Sequence, residues 1–336
     1  MNWSMVLRVG VLSTGLAVLA AAPVAAASPS LNVCKAITDL YSTDPATLQA
    51  CGFTGYPLTG YAKLADGGTA SLYRVAGMDV QVLVPPAGFD PLHATASELE
   101  AYGIPARPNA ASTTALEEWT QMVVRAQFQP GPPMMYVGPV KHATSSNWSG
   151  YYASGTSFTE AGAHWTEPSV QSGCTGASAS TWAGLGGVNS GNLAQNGVDL
   201  LWPGGHTQQA WWEILPANTT YINFRVDPGY GFEVTTSYYS GHFLFFFNND
   251  YTGYATTISV ASSAYDGSTA DVIVERASGT PLANFGTESL LAYANNNYMS
   301  SYTHTSEVMM NGSDTLTQVS GMGSNGSFTD KYLRCS

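Results

Sequence analysis

The sequence predicts an all-β protein, an antiparallel sandwich or barrel preceded by a small mixed segment with some helix. Three observations lead there. From about residue 145 onward, short runs rich in Thr, Val, Tyr, Phe and Trp are separated by Gly, Asn, Asp and Ser, the spacing of many short antiparallel strands. The clearest amphipathic stripe lies before that point. Charged residues are only 10% of the chain against 44% hydrophobic and 12% aromatic, which rules out a disordered chain.

The elements follow in chain order. Arg8 precedes an apolar, small-residue stretch over 9–22, and Ala25-Ala26-Ala27 offers a small-x-small cleavage site, so residues 1–27 are expected to be a secretory signal peptide. The protein is therefore expected to be secreted and free of the membrane once the signal is cut. Cys34, Cys51, Cys174 and Cys335 suit an oxidising compartment and allow three pairings; Cys34–Cys51 with Cys174–Cys335 keeps each bond inside one segment. No C-x-x-C, H-E-x-x-H or dense Cys/His cluster is present, so a structural zinc site is not expected.

Residues 28–143 form a first segment. Thr114 with Glu117 has the spacing of a capping box, and Leu116, Trp119, Val123 and Ala126 recur as a helical stripe. Gln129-Pro130-Gly131-Pro132-Pro133 then breaks any helix or central strand, and the stretch on to Pro139 reads as an exposed linker. Residues 144–336 form the second segment, with strands expected near 180–185, 208–214, 231–238, 242–247, 255–260 and 270–275.

Charge also divides at the linker. Residues 28–143 hold 6 basic and 9 acidic side chains, whereas 144–336 hold 4 basic and 14 acidic, a net of -10. The formal charge of -12 argues against nucleic acid, which needs clustered Lys and Arg. A sheet with few ion pairs has little to lose when its carboxylates protonate, so the low charge reads as acid tolerance.

Common hydrolase signatures are missing: there is no G-x-S-x-G elbow, and Asp314-Thr315 is followed by Leu316 rather than Gly. His164 and Glu167, three apart in a strand-like context, make a weak metal pair. A series of phrases does stand out in order. They are Ser146-Asn147-Trp148-Ser149-Gly150-Tyr151, Trp165-Thr166-Glu167-Pro168, Ser180-Thr181-Trp182-Ala183-Gly184-Leu185-Gly186, Leu193-Ala194-Gln195-Asn196-Gly197-Val198-Asp199, Ala210-Trp211-Trp212-Glu213-Ile214, Ala270-Asp271-Val272-Ile273-Val274-Glu275 and Leu282-Ala283-Asn284-Phe285-Gly286. This set, covering about residues 145–295, resembles the glutamic peptidases, or eqolisins.

The resemblance implies a concanavalin-like sandwich of two antiparallel sheets and an acid endopeptidase acting on polypeptides as a monomer, with no metal or cofactor. It places the catalytic pair on Gln195 and Glu275, with Trp182, Trp211 and Glu213 binding substrate or supporting the pair. Gly187 stands where some members carry Asp. The first segment, outside the resemblance, is expected to be a propeptide that masks the cleft until acid cuts the linker within 130–141, or an accessory segment that stays.

Strand parity gives an independent check, because side chains two apart share a face. Val272 and Val274 point to one side and Asp271, Ile273 and Glu275 to the other; Trp211 and Glu213 share a face, as do Gln195, Gly197 and Asp199. The chemistry also fits: a Glu near its usual value of about 4.3 alternates between base and acid only in an acidic medium, giving an expected optimum of about pH 2–5. The competing expectation is a secreted glycoside hydrolase using Glu213 and Glu275, or a lectin-like sugar-binding sandwich.

Overall fold

Runs of β-branched and aromatic residues broken by turn residues build two large antiparallel sheets. The computed structural model describes residue 49 and residues 53–108, 113–129, 134–137, 146–171, 173–188, 190–201, 207–277 and 279–336. The signal peptide, the Cys34–Cys51 pairing and residues 130–133 and 138–145 lie outside the described residues. The first segment contributes β1 (Thr54–Pro57), β2 (Gly60–Lys63), β3 (Thr69–Val75), β4 (Met78–Val84), α1 (Ala96–Ala101), α2 (Thr113–Arg125), β5 (Gln127–Phe128) and β6 (Met134–Val137).

The second segment opens with β7 (Trp148–Ser154), β8 (Glu160–Thr166), β9 (Ser178–Gly186), β10 (Leu193–Leu201), β11 (Thr207–Ile214) and β12 (Thr220–Ile222). Next come β13 (Gly231–Tyr239), β14 (His242–Asn249), β15 (Tyr254–Ala261), β16 (Ala270–Glu275), β17 (Thr287–Ala294) and β18 (Asn297–Tyr298). The short pieces β19 (Thr303–Glu307), β20 (Met310–Asn311), β21 (Asp314–Thr315) and β22 (Thr317–Val319) lead to β23 (Ser327–Tyr332).

One sheet runs β1-β6-β12-β11-β10-β9-β16-β7-β19, and the other runs β2-β3-β4-β15-β14-β13-β8-β17-β23-β22. Their facing sides enclose a core of Ala183, Leu185, Val198, Trp212 and Val272 from the first sheet and Phe243, Phe245, Phe247, Ile258 and Val260 from the second. Trp212 stacks on Phe245 at 5.4 Å. The Cys174–Cys335 disulfide forms, with Cα atoms 6.1 Å apart. Among the described residues no helix is long and apolar enough to cross a membrane.

The continuous apolar run Phe243 to Phe247 shows why β14 lacks alternation. Phe243, Phe245 and Phe247 face the inter-sheet core, while Leu244 and Phe246 face outward into a second cluster with Leu99, Tyr102, Ile104, Trp119, Met122 and Val123. A strand covered on both faces has no side to leave polar. The cover comes from the first segment, whose helix α2 buries Ala115, Trp119, Met122 and Val123. Trp119 Nε1 also donates to the Pro105 carbonyl at 2.8 Å.

Two expectations for the first segment need correction. The stretch from Pro130 to Pro139 is not exposed throughout: its Met134–Val137 pairs with both β1 and β12, and Met135 is wholly buried. The strand sits one place in from the sheet edge, and the prolines that flank it in the sequence hide it from a reading by composition. Thr114 lies inside α2, whose first residue is Thr113; the capping box that forms is Thr95 with Glu98, on α1. The segment as a whole is no separate body, since β4 pairs with β15 and β6 with β12.

Candidate active site

Four neighbouring strands, β11, β10, β9 and β16, carry the residues singled out by sequence, and their register sets those residues in three rows across one face. Glu275, Ser180 and Asp199 are successive partners in the first row. Ile273, Trp182, Gly197, Trp211 and Tyr221 make the second. Asp271, Gly184, Gln195 and Glu213 make the third. Val272 and Val274 lie on the opposite face in buried clusters, as the alternation requires.

Gln195 and Glu213 are direct cross-strand partners, and Gln195 Nε2 donates to Glu213 Oε2 at 2.8 Å. Thr219 Oγ1 donates to the other oxygen, Glu213 Oε1, at 2.8 Å. Since a carboxylate only accepts, these bonds fix which end of the Gln195 amide is nitrogen. Gln195 Oε1 is left buried without a hydrogen-bond partner among the described residues. The adjacent Asn196 points the other way: its Nδ2 donates to the Phe246 carbonyl at 2.8 Å and its Oδ1 accepts from Thr236 Oγ1 at 2.8 Å. That buried bridge ties β10 to the opposing sheet beside Gln195.

Trp182 stands between Gln195 and Glu275, which lie two strands apart and four residues offset. Its Nε1 donates to Glu275 Oε2 at 2.9 Å. Its far ring edge approaches Gln195 past Gly184, where an added Cβ would lie 3.0 Å from Gln195 Cβ and 3.1 Å from Trp182 Cζ3. Trp148 meets Trp182 edge-on at 5.0 Å, and Trp148, Trp182, Leu193, Trp211, Tyr221 and Ile273 form one apolar layer on this face. Trp211 thus belongs to the layer, across Gly197 from Trp182.

Asp199, Ser180, Thr219 and Tyr221 join the site without having been assigned roles from sequence. Ser180 Oγ donates to Asp199 Oδ1, and Tyr221 Oη donates to Asp199 Oδ2 at 2.8 Å. Parity had put Asp199 on the face of Gln195, but Tyr221 sits on a three-residue strand that no pattern marks. Asp271 is the other unassigned acid. It is wholly buried, burial holds its carboxyl well above the ordinary carboxylate range, and its Oδ2 accepts from Thr269 Oγ1 at 3.3 Å.

His164 and Glu167 do not converge. His164 Nε2 meets Asp250 Oδ2 at 2.7 Å, whereas Glu167 accepts from Trp165 Nε1 at 2.7 Å. Among the described residues no group of three or more His, Cys, Asp and Glu is placed to hold a metal ion.

Residues 146–332, more than half of the chain, match the Peptidase A4 family. The chain belongs to that family. This peptidase is a hydrolase of the glutamic type, and the sites above all fall inside the matched region. No curated protein of related sequence was found. The solved structures that resemble this peptidase include two glutamic peptidases. Scytalido-glutamic peptidase with a transition state analog inhibitor has 19% identity and a TM-score of 0.49, covering 58% of this chain and 100% of its own. SCP-B, of the eqolisin family, in complex with the tripeptide Ala-Ile-His, has 18% identity and a TM-score of 0.46, with the same coverage.

Proposed function

We propose that this peptidase is a secreted, acid-acting endopeptidase whose catalytic pair is Gln195 and Glu275, made as a precursor closed by its N-terminal segment. The observation that carries the reading is the shared face of β11, β10, β9 and β16, on which Glu213 orients the Gln195 amide and Trp182 holds Glu275. Glu275, as carboxylate, takes a proton from water while the water oxygen bonds to the scissile carbonyl carbon. Gln195 Oε1 accepts a hydrogen bond from that water, and the second Nε2 hydrogen of the amide faces the developing oxyanion. Glu275 then returns the proton to the leaving amine nitrogen as the C–N bond breaks.

An amide in place of a second carboxylate removes the like-charge coupling that splits the titration of a carboxylate pair, so a lone Glu sets an acidic optimum of about pH 2–5. Closure of the precursor is supported by burial: Gln195, Glu213, Trp182, Trp211 and Glu275 are all without solvent exposure, and Phe53 of the first segment packs edge-on against Tyr221 at 6.0 Å. The sugar-cleaving alternative has less support. Both oxygens of Glu213 are occupied by Gln195 and Thr219, which suits a positioning carboxylate better than a second catalytic one.

The test is hydrolysis of a denatured protein at about pH 3 by the full chain and by Glu275→Gln and Gln195→Ala. Each variant is expected to lose at least about 10²-fold in kcat, the scale of a lost catalytic acid–base group or oxyanion donor. Undiminished cleavage by either variant overturns the mechanism, and cleavage of glycans alone would favour the sugar reading.

A further inference from the structure

Strand β12 has three residues, yet two of the bonds that set the site come from it and from the residue before it. Thr219 Oγ1 donates to Glu213 Oε1, and Tyr221 Oη donates to Asp199 Oδ2, each at 2.8 Å. The register of β11 and β12 pairs Trp211 with Tyr221 and Trp212 with Thr220, so Thr219 falls opposite Glu213 at the next step. Glu213 in turn accepts from Gln195 Nε2. The direction of the Gln195 amide therefore depends on where β12 lies.

Among the described residues, two strands fix that place. One is β11; the other is β6 of the first segment, which sets Val137, Tyr136 and Met135 against Thr220, Tyr221 and Ile222. So short a strand is poorly held along one edge alone, and pairing along both edges fixes it. Met135 and Ile222, a direct cross-strand pair, are both without solvent exposure and lie together in the inter-sheet core. On its far side β6 is backed by β1, and Phe53, just before β1, meets the Tyr221 ring.

We propose that β6 is a working part of the site, with Met135 and Thr219 as positioning residues: β6 clamps β12, β12 presents Thr219 to Glu213, and Glu213 sets Gln195. The assignment rests on the Gln195/Glu275 reading above and gives the first segment a second role besides closure of the precursor. Active enzyme then keeps Met134–Val137, covalently if the linker is cut before Met134 and through strand pairing if it is cut after Val137.

The experiment measures kcat and KM of the full chain at about pH 3, well below its melting temperature, on a peptide that the wild type cleaves. Thr219→Val removes the donor at nearly constant size; it is expected to lose about tenfold in kcat with KM within about twofold, and Thr219→Ser to recover most of the loss. Met135→Ala is expected to lose about fivefold in kcat, and Met135→Val, favoured in strands, replaces it if the alanine variant does not fold. Val80→Ala is the control: Val80 is buried in the same core but on β4 of the other sheet, so it should lower the melting temperature and leave kcat unchanged. The double variant of Met135 and Thr219 should lose at least about threefold less than the product of the two single losses, because both act on one bond. A Met135 variant with wild-type kcat, an equal loss of kcat in Val80→Ala, or losses that simply multiply overturns the assignment. So does an active fraction, prepared by a shift to about pH 4, whose intact masses lack residues 134–137. Failure of the underlying reading looks different: a Gln195→Ala or Glu275→Gln chain as active as wild type.

Discussion

At Gly197 the site leaves no room for a side chain. A Cβ there would lie 2.2 Å from the Thr181 carbonyl oxygen and 2.6 Å from Trp182 Cβ, contacts that no side chain survives without movement. Gly197→Ala is expected to destabilise the fold by about 1–3 kcal/mol, read as a lower denaturant midpoint with unchanged slope. Gly191, where a Cβ would meet nothing within 4 Å, supplies the control: Gly191→Ala should leave the midpoint nearly unmoved. Parity in the sequence already grouped Gln195 with Asp199 and Asp271 with Glu275. It could not show which strands were neighbours, because register depends on turns and long-range pairing that the residues of one strand do not encode. Hence the resemblance gave Glu213 as a residue that binds substrate or supports the pair, while its direct bond to Gln195 came only from the register of β10 and β11. Thr219 and Tyr221 were invisible, being short-strand and loop residues whose roles exist only through their partners.

The first segment is held as elements rather than as a tether. Strands β2, β3 and β4 continue one sheet beyond β15, β6 and β1 continue the other beyond β12, and α2 covers the outward side of β14. One cut in the linker would leave all this pairing and apolar burial in place. After a shift from about pH 7 to about pH 4, cleavage is expected within 130–141 but outside the paired Met134–Val137, since hydrogen-bonded strands resist proteases. When the cut material is returned to neutral pH, both fragments should co-elute on size exclusion. Separate elution would mean that this pairing does not hold the segment, and an intact, active chain at low pH would remove the precursor model. The helix α2 was readable in advance from its stripe, and so were β9, β11, β13, β14, β15 and β16, whose ends shift by two residues at most. The strands β1 and β2 were not, because they are four residues long and carry Gly or Pro, so their pairing rather than their composition defines them.

Across the described residues, buried carboxyls dominate the response to pH. Burial pushes Asp330 up to about 6, Glu233 to about 7 and Glu167 to about 8, and raises Glu160, Asp271 and Glu288 as well. Each binds its proton more tightly folded than unfolded, so each contributes stability that is complete below the ordinary carboxyl value of about 4 and lost as pH climbs through the raised one. His164, raised chiefly by its bond to Asp250 against the opposing effect of burial, acts in the same direction. The lowered Asp66, Asp90 and Glu98 oppose this, but they lie near solvent and count for little. The melting temperature is expected to fall by roughly 10 °C between about pH 4 and pH 8, and calorimetry showing a flat or rising profile would contradict it. Low charge alone indicated only tolerance of acid; the buried carboxyls make acid the condition in which the fold is strongest.

The same long-range pairing sets a timetable for synthesis. Val80 has to wait for Val260, Thr54 for Val137, and Cys174 for a cysteine 161 residues later. A nascent chain in which the early strands emerge long before their partners cannot complete its sheets piece by piece, and closing such distant contacts is slow. Folding is therefore an event of the nearly finished polypeptide, and the apolar strand containing Phe243 to Phe247 is the stretch that most needs shelter while it waits.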